Sequence, residues 1–83
     1  MKKENLRPVN KIAEEILRNW PNNFPQEPKV IAAQLAQIAD SREHVGYFLG
    51  TTLIEDFIAS ASQWTGPDGT RLKNELKQWL RVK

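Results

Sequence analysis

The chain has no cysteine, one histidine, one tyrosine and one methionine. Without cysteine there are no disulfide staples, no thiolate metal sites and no thiol nucleophile. With His44 the only histidine, a zinc or iron site would have to be built almost entirely from carboxylates. Glu14-Glu15 and Glu55-Asp56 are adjacent pairs. Neighbours on a helix point about 100° apart, so neither pair converges on one ion. No metal and no cofactor are expected. No apolar run approaches the roughly 20 residues that a membrane span needs. The opening MKKENLRPVNK has two lysines but no apolar stretch behind them, unlike a secretory signal. The expectation is a soluble, cytoplasmic chain with no membrane partner.

The 83 residues are 40% hydrophobic and 27% charged, ordinary for one globular domain. A domain of this size buries only about 60–65% of its unfolded surface and folds with little stability to spare. Net charge is +2, too small to argue for nucleic acid by itself. Its distribution says more. Residues 1–26 hold five cations against three acids, residues 27–69 two against six, and residues 70–83 five against one. Segments of opposite sign can pair within the fold or across a dimer, and basic ends can meet an acidic partner.

Hydrophobic periodicity predicts an all-α fold, a compact bundle of four to five short amphipathic helices over residues 1–83. Residues 1–7 are expected to be a flexible N-terminal arm. Val9, Ile12, Ala13, Ile16, Leu17 and Trp20 share one face of a first helix over 8–19, which Trp20-Pro21 ends. The loop Pro21–Glu27 follows, with Phe24 expected to pin it to the core. A second helix is predicted over 28–39. Asp40-Ser41-Arg42-Glu43 reads as a capping box that launches a third helix over 41–49, ended by a left-handed Gly50. Thr52-Leu53-Ile54-Glu55 reads as a second box for a helix over 53–64. Residues 45–58 also admit a β-hairpin around Gly50-Thr51. The last helix begins at Gly66 or Thr70 and reaches about Val82.

Three places invite a functional reading. The first is the glycine loop Gly66-Pro67-Asp68-Gly69-Thr70. It is too short for a phosphate loop, lacks the lysine, and contains an acid and a proline where amide donors would be needed. It reads instead as a helix start, with Thr65 as cap and Asp68 at the positive helix end. The second is the ridge Lys73, Lys77 and Arg81, spaced four residues apart, which could track phosphates or an acidic partner. Its bland alternative is a solvated outer face. The third is the tryptophan content. Trp20, Trp64 and Trp79 fall on apolar faces, yet three are hard to bury in so small a domain, so one or more could mark a partner surface. His44 and Ser41 show no oriented base–nucleophile pair and no Gly-x-Ser-x-Gly elbow is present, so catalysis is not expected.

The runs Val45-Gly46-Tyr47-Phe48-Leu49, Ala61-Ser62-Gln63-Trp64-Thr65-Gly66 and Arg71-Leu72-Lys73-Asn74-Glu75-Leu76 resemble segments of small uncharacterised helical proteins of bacterial and phage genomes. Those proteins carry a "YFL" run, a "W-x-G" and a closing "I/L-K-x-E-L" helix. The segment Ile12 to Trp20 is similar to their opening helix. The resemblance implies a compact accessory protein and brings no catalytic residues. The resulting expectation is a noncatalytic protein acting by protein–protein interaction, including as a homodimer. The alternative is a weak nucleic-acid binder using Lys73, Lys77 and Arg81.

Overall fold

The structure, a computed structural model, describes residues 6–82. Chain order is α1 (Val9–Asn19), α2 (Glu27–Leu35), β1 (His44–Val45), β2 (Phe48–Leu49), α3 (Gly50–Ser60) and α4 (Pro67–Trp79). The expected bundle is thus present in its coarse form, four helices, with a small two-stranded ribbon added. α2 packs on both α1 and α3, and α4 closes on α1 and α3. One core unites them: Ile12 and Ile16 of α1, Leu35 of α2, Ile54 and Phe57 of α3, and Leu72, Leu76 and Trp79 of α4 are fully or almost fully buried.

α1 follows its predicted face, with Val9, Ile12, Ala13 and Ile16 inward. Pro8 flanks its start and offers no side-chain cap. The first amide is satisfied from elsewhere in the fold, since Val9 N donates to the Ala39 carbonyl at 2.9 Å. That bond also explains why α2 is shorter than predicted. Beyond Leu35 the chain tightens, with Gln37 N on Gln34 O and Ile38 N on Leu35 O, and swings Ala39 toward the head of α1. The loop after α1 is pinned as expected. Phe24 packs edge-on to Trp20 at 5.7 Å, and the Trp20 indole N–H donates to Pro25 O.

The predicted third helix over 41–49 is absent. Its capping box does form: Glu43 Oε2 accepts the amides of Ala39 and Asp40, and Asp40 Oδ1 accepts the amide of Arg42. The turn is not propagated. After Glu43 come β-branched, glycine and aromatic residues, which favour strands and turns over helix. The chain forms an antiparallel hairpin instead, pairing His44 with Leu49 and Val45 with Phe48. Gly46 and Tyr47 are its two-residue loop. Gly46 has φ of 60° and Tyr47 stays at negative φ, the pattern of a type II′ turn with glycine first. The predicted hairpin alternative placed its turn four residues too late, at Gly50-Thr51, where α3 begins.

Gly50 is therefore not a left-handed helix terminator. It is the first residue of α3, and a Cβ there would lie 2.6 Å from the Ser41 carbonyl oxygen and 2.7 Å from Ile38 Cδ1. Close approach, not conformational freedom, requires glycine. The second predicted box is also unused, because α3 starts at Gly50 and has no side-chain cap. The last helix begins at Pro67 with Gly66 as cap residue, so Thr65 does not cap it. The expected N-terminal arm lies mostly outside the described residues. Its last two residues are tied down: Leu6 packs on the core, and the Arg7 carbonyl accepts the Trp79 indole N–H at 2.8 Å.

Candidate functional site: an aromatic hairpin tip and the groove between α3 and α4

The predicted partner surface and the observed one differ. Trp20 and Trp64 are 6% exposed and Trp79 is 2% exposed. Trp20 and Trp64 meet edge-to-face at 5.1 Å, and Trp20 also touches Phe57. All three are core residues. The exposed aromatics are Tyr47, which has the accessibility of an extended chain, and Phe48, 54% exposed. Both follow from the turn. A two-residue loop projects its second residue away from the ribbon, and a ribbon of two-residue strands is too short to cover its own tip. The sequence carried a signal for this, the Gly-x step in Val45-Gly46-Tyr47-Phe48 between β-forming residues.

The hairpin is anchored at its base. Gly50 N donates to Glu43 O at 2.7 Å, closing the ribbon. Ser41, fully buried, donates its hydroxyl to the Trp79 carbonyl at 3.1 Å and so caps the C-terminal end of α4. Asp40 receives Arg42 at 2.7 and 3.0 Å, and these two hydrogen bonds hold the Arg42 guanidinium above its ordinary pKa. His44, the only imidazole, lies exposed on β1.

The basic ridge does not survive as three equivalent cations. Lys73 turns inward and donates from Nζ to the Ala61 carbonyl at 3.1 Å, at the C-terminal cap of α3. Partial burial, followed by the charge of Lys77, lowers its pKa. Lys77 and Arg81 remain outward. With Leu80 they form one wall of a groove of about 430 Å³, and Glu55, Ile58 and Ala59 of α3 form the other. The groove is open to solvent and lined by three apolar residues, two cations and one acid.

The remaining charges are organised on the α1–α4 face. Arg7 holds Glu75 through two bonds of 2.7 and 2.8 Å and reaches Glu15 at 2.9 Å. Arg71 holds Glu15 and Glu75, and approaches Asp68 at 3.5 Å. Two arginines and two glutamates alternate around a ring, joining the N-terminal segment to α1 and α4. Charges of both signs from the two basic ends are paired here with each other. The Glu15 carboxyl is held below its ordinary value of 4.5 by the hydrogen bond from Arg71, reinforced by Arg7 against partial burial.

A depressed carboxylate stabilises the fold fully above its ordinary pKa, and the contribution fades as pH falls through the lower folded value. Thermal stability should therefore decline on acidification below about pH 4.5. Glu15→Gln should lower stability at pH 7 by about 1 kcal/mol, the upper end for exposed ion pairs, or about 4–8 °C in Tm. Melting curves at pH 7, 4.5 and 3 check this. The gap between wild type and variant should narrow steadily from pH 7 to pH 3, and a constant gap across all three would show that charge is not the cause.

Among the described residues no group of three or more histidines and carboxylates could hold a metal ion, and no helix is long and apolar enough to cross a membrane. Compared with family models, curated proteins and solved structures, the chain matches none.

Proposed function

We propose that the chain is a noncatalytic interaction protein, of the small accessory kind that its resemblance suggests, which binds a protein surface through the hairpin tip. The observation that carries this reading is the pair Tyr47 and Phe48, exposed side by side on a turn whose base is held by Ser41, Glu43 and Gly50. Large aromatics bury much area on docking and lose little conformational entropy, which is why they recur at binding hot spots. A pre-formed turn lowers the ordering cost further. Neither ring belongs to the buried core or to the partly buried residues packed on it, whereas sixteen apolar residues, all three tryptophans among them, form that core. The nucleic-acid alternative has weaker support. Lys73 is committed to the Ala61 carbonyl, and Glu55 shares the groove with Lys77 and Arg81.

The test separates tip from bulk surface. A photo-crosslinking phenylalanine analogue placed at Tyr47 is compared with one at exposed Asn22 in the native cell. Discrete protein adducts, identified by mass, should form from position 47 and not from position 22. Equal or absent adducts would end this reading. Tyr47→Ser with Phe48→Ser should also change folding stability by less than about 0.5 kcal/mol, as expected of exposed side chains outside the core. Loss of adducts would then not trace to unfolding.

A further inference from the structure

We propose that the face between α1 and α4 is a recognition site for a peptide segment carrying a leucine–arginine pair, and that the chain's own Leu6-Arg7 occupies it as a displaceable strap. The proposal uses neither Tyr47 nor Phe48, so it stands or falls apart from the tip.

The strap makes the contacts of a bound peptide. Leu6 lies half-buried against the core. The Arg7 guanidinium meets the Glu75 carboxylate side-on, with Nε on Oε1 at 2.7 Å and a terminal nitrogen on Oε2 at 2.8 Å, and it reaches Glu15 at 2.9 Å. The Arg7 carbonyl accepts the Trp79 indole N–H at 2.8 Å. One apolar side chain, one forked cation and one main-chain acceptor together fix composition, charge and register, as in the recognition of linear peptide motifs. The fork specifies arginine, because a lysine ammonium is a point charge and cannot pair both oxygens of Glu75 in parallel.

The site is built without the strap. Arg71 holds both Glu15 and Glu75, so the two carboxylates keep their places when Arg7 lifts. α1 keeps its own footing. Val9 is buried and its amide is bound by the Ala39 carbonyl, while the Pro8 carbonyl accepts the amides of Lys11 and Ile12. What opening leaves is a site short of one cation and one acceptor. Glu15, Glu75 and Asp68 then share the guanidinium of Arg71, and the Trp79 indole N–H loses the Arg7 carbonyl. A single arginine residue with its carbonyl makes good both deficits.

The strap is held loosely. The Arg7 side chain is 42% exposed, and exposed ion pairs contribute little to stability. The strap therefore opens at a much lower free energy than the whole fold. A tethered segment competes at an effective concentration of millimolar order, so a partner displaces it by presenting the leucine–arginine pair together with further contacts.

Leu6→Gly with Arg7→Gly in the full chain empties the site, and a blocked tetrapeptide copying residues 5–8 is the probe. The indole N–H resonance of Trp79 reads occupancy, and those of Trp20 and Trp64 report the fold. The peptide should bind the emptied chain saturably and return the Trp79 resonance toward its wild-type position. It should bind at least ten-fold more tightly than it binds the wild type, and at least ten-fold more tightly than its lysine version binds the emptied chain. Adding Glu75→Gln to the emptied chain should weaken binding at least ten-fold. In the wild type, the Trp79 indole should exchange its hydrogen at least ten-fold faster than global unfolding permits. Three results would each overturn the proposal: no movement of the Trp79 resonance at about 5 mM peptide, equal binding of the arginine and lysine peptides, or indole exchange only through global unfolding. An emptied chain that fails to fold would overturn it too, since the segment would then be part of the core and not a ligand on it.

Discussion

Trp79→Ala should remove a large share of the stability of the folded chain. The indole is almost fully buried between α1, α3 and α4, and truncating a buried tryptophan costs about 3–5 kcal/mol. A domain of 83 residues has about 4–12 kcal/mol in all. The effect does not stop at the cavity. The indole N–H holds the Arg7 carbonyl, and Arg7 in turn reaches Glu15 and Glu75, so the N-terminal segment loses its attachment together with the core. Trp79→Phe separates the two contributions. It keeps an aromatic ring and removes the donor, leaving the Arg7 carbonyl without its partner, and should cost about 1–3 kcal/mol. Chemical denaturation measures both variants. Equal costs for Ala and Phe would mean that packing contributes little beyond the hydrogen bond. A cost below 1 kcal/mol for Trp79→Ala would contradict the burial itself. Ser41 bonds to the backbone carbonyl of residue 79, so the hairpin base should persist in Trp79→Phe. Amide exchange at Gly50 should then stay slow while exchange near Arg7 accelerates.

The helices were legible in the chain wherever one apolar face repeats over three turns. Val9, Ile12, Ala13 and Ile16 define α1, and Leu72, Leu76 and Trp79 define α4, because a 3.6-residue period cannot be mistaken over that length. Residues 40–49 were misread for a physical reason. Asp40 and Glu43 form the local hydrogen bonds of a helix start whether or not a helix follows. What decides the outcome lies far away in sequence, the bond from Ser41 to Trp79 and the contact of Gly50 with Ile38. Nucleating one turn is cheap to undo when the next residues are Val45, Gly46, Tyr47 and Phe48. The start of α3 was misplaced for a related reason: it has no side-chain hydrogen bond at its N-cap, so Thr52 does not mark it, whereas Pro8 and Pro28 mark the starts of α1 and α2 to within a residue.

The candidate site was half legible. Lys77 and Arg81 were picked out by their spacing, and they do line the groove. Lys73 shares that spacing but answers to the Ala61 carbonyl, a partner that no one-dimensional pattern encodes. The tryptophans drew attention because they are large and numerous. Edge-to-face packing of Trp20 on Trp64, and donation by the Trp20 and Trp79 indoles to main-chain carbonyls, let a small core absorb all three. Exposure fell to Tyr47 and Phe48, which composition alone gave no reason to choose.

Gly69→Ala should destabilise the protein by about 1–3 kcal/mol, against the usual gain from replacing a helical glycine with alanine. Gly69 sits within the first turn of α4 and is buried. A Cβ there would stand 2.6 Å from the Trp64 carbonyl oxygen and 2.7 Å from Trp64 Cγ. Neither can yield readily. The carbonyl is backbone, and the indole is locked against Trp20. Moving Trp64 by the required distance would disturb the stack that also includes Phe24 and Phe57. Gly66, three residues earlier, supplies the control. A Cβ added at Gly66 meets nothing within 4 Å, and its φ of −64° suits any residue. Gly66→Ser should be neutral or stabilise by a few tenths of a kcal/mol, because serine can cap the free amides of the first turn. Urea denaturation of the two variants decides the matter, with tryptophan fluorescence reporting any shift of the Trp20–Trp64 pair. If both substitutions were stabilising, the close approach of α4 to Trp64 would be refuted. If both were equally harmful, the loop would need glycine for its conformation rather than for packing. The expected split makes residues 66–70 a helix start with one position that is open to substitution and one that is closed by an indole.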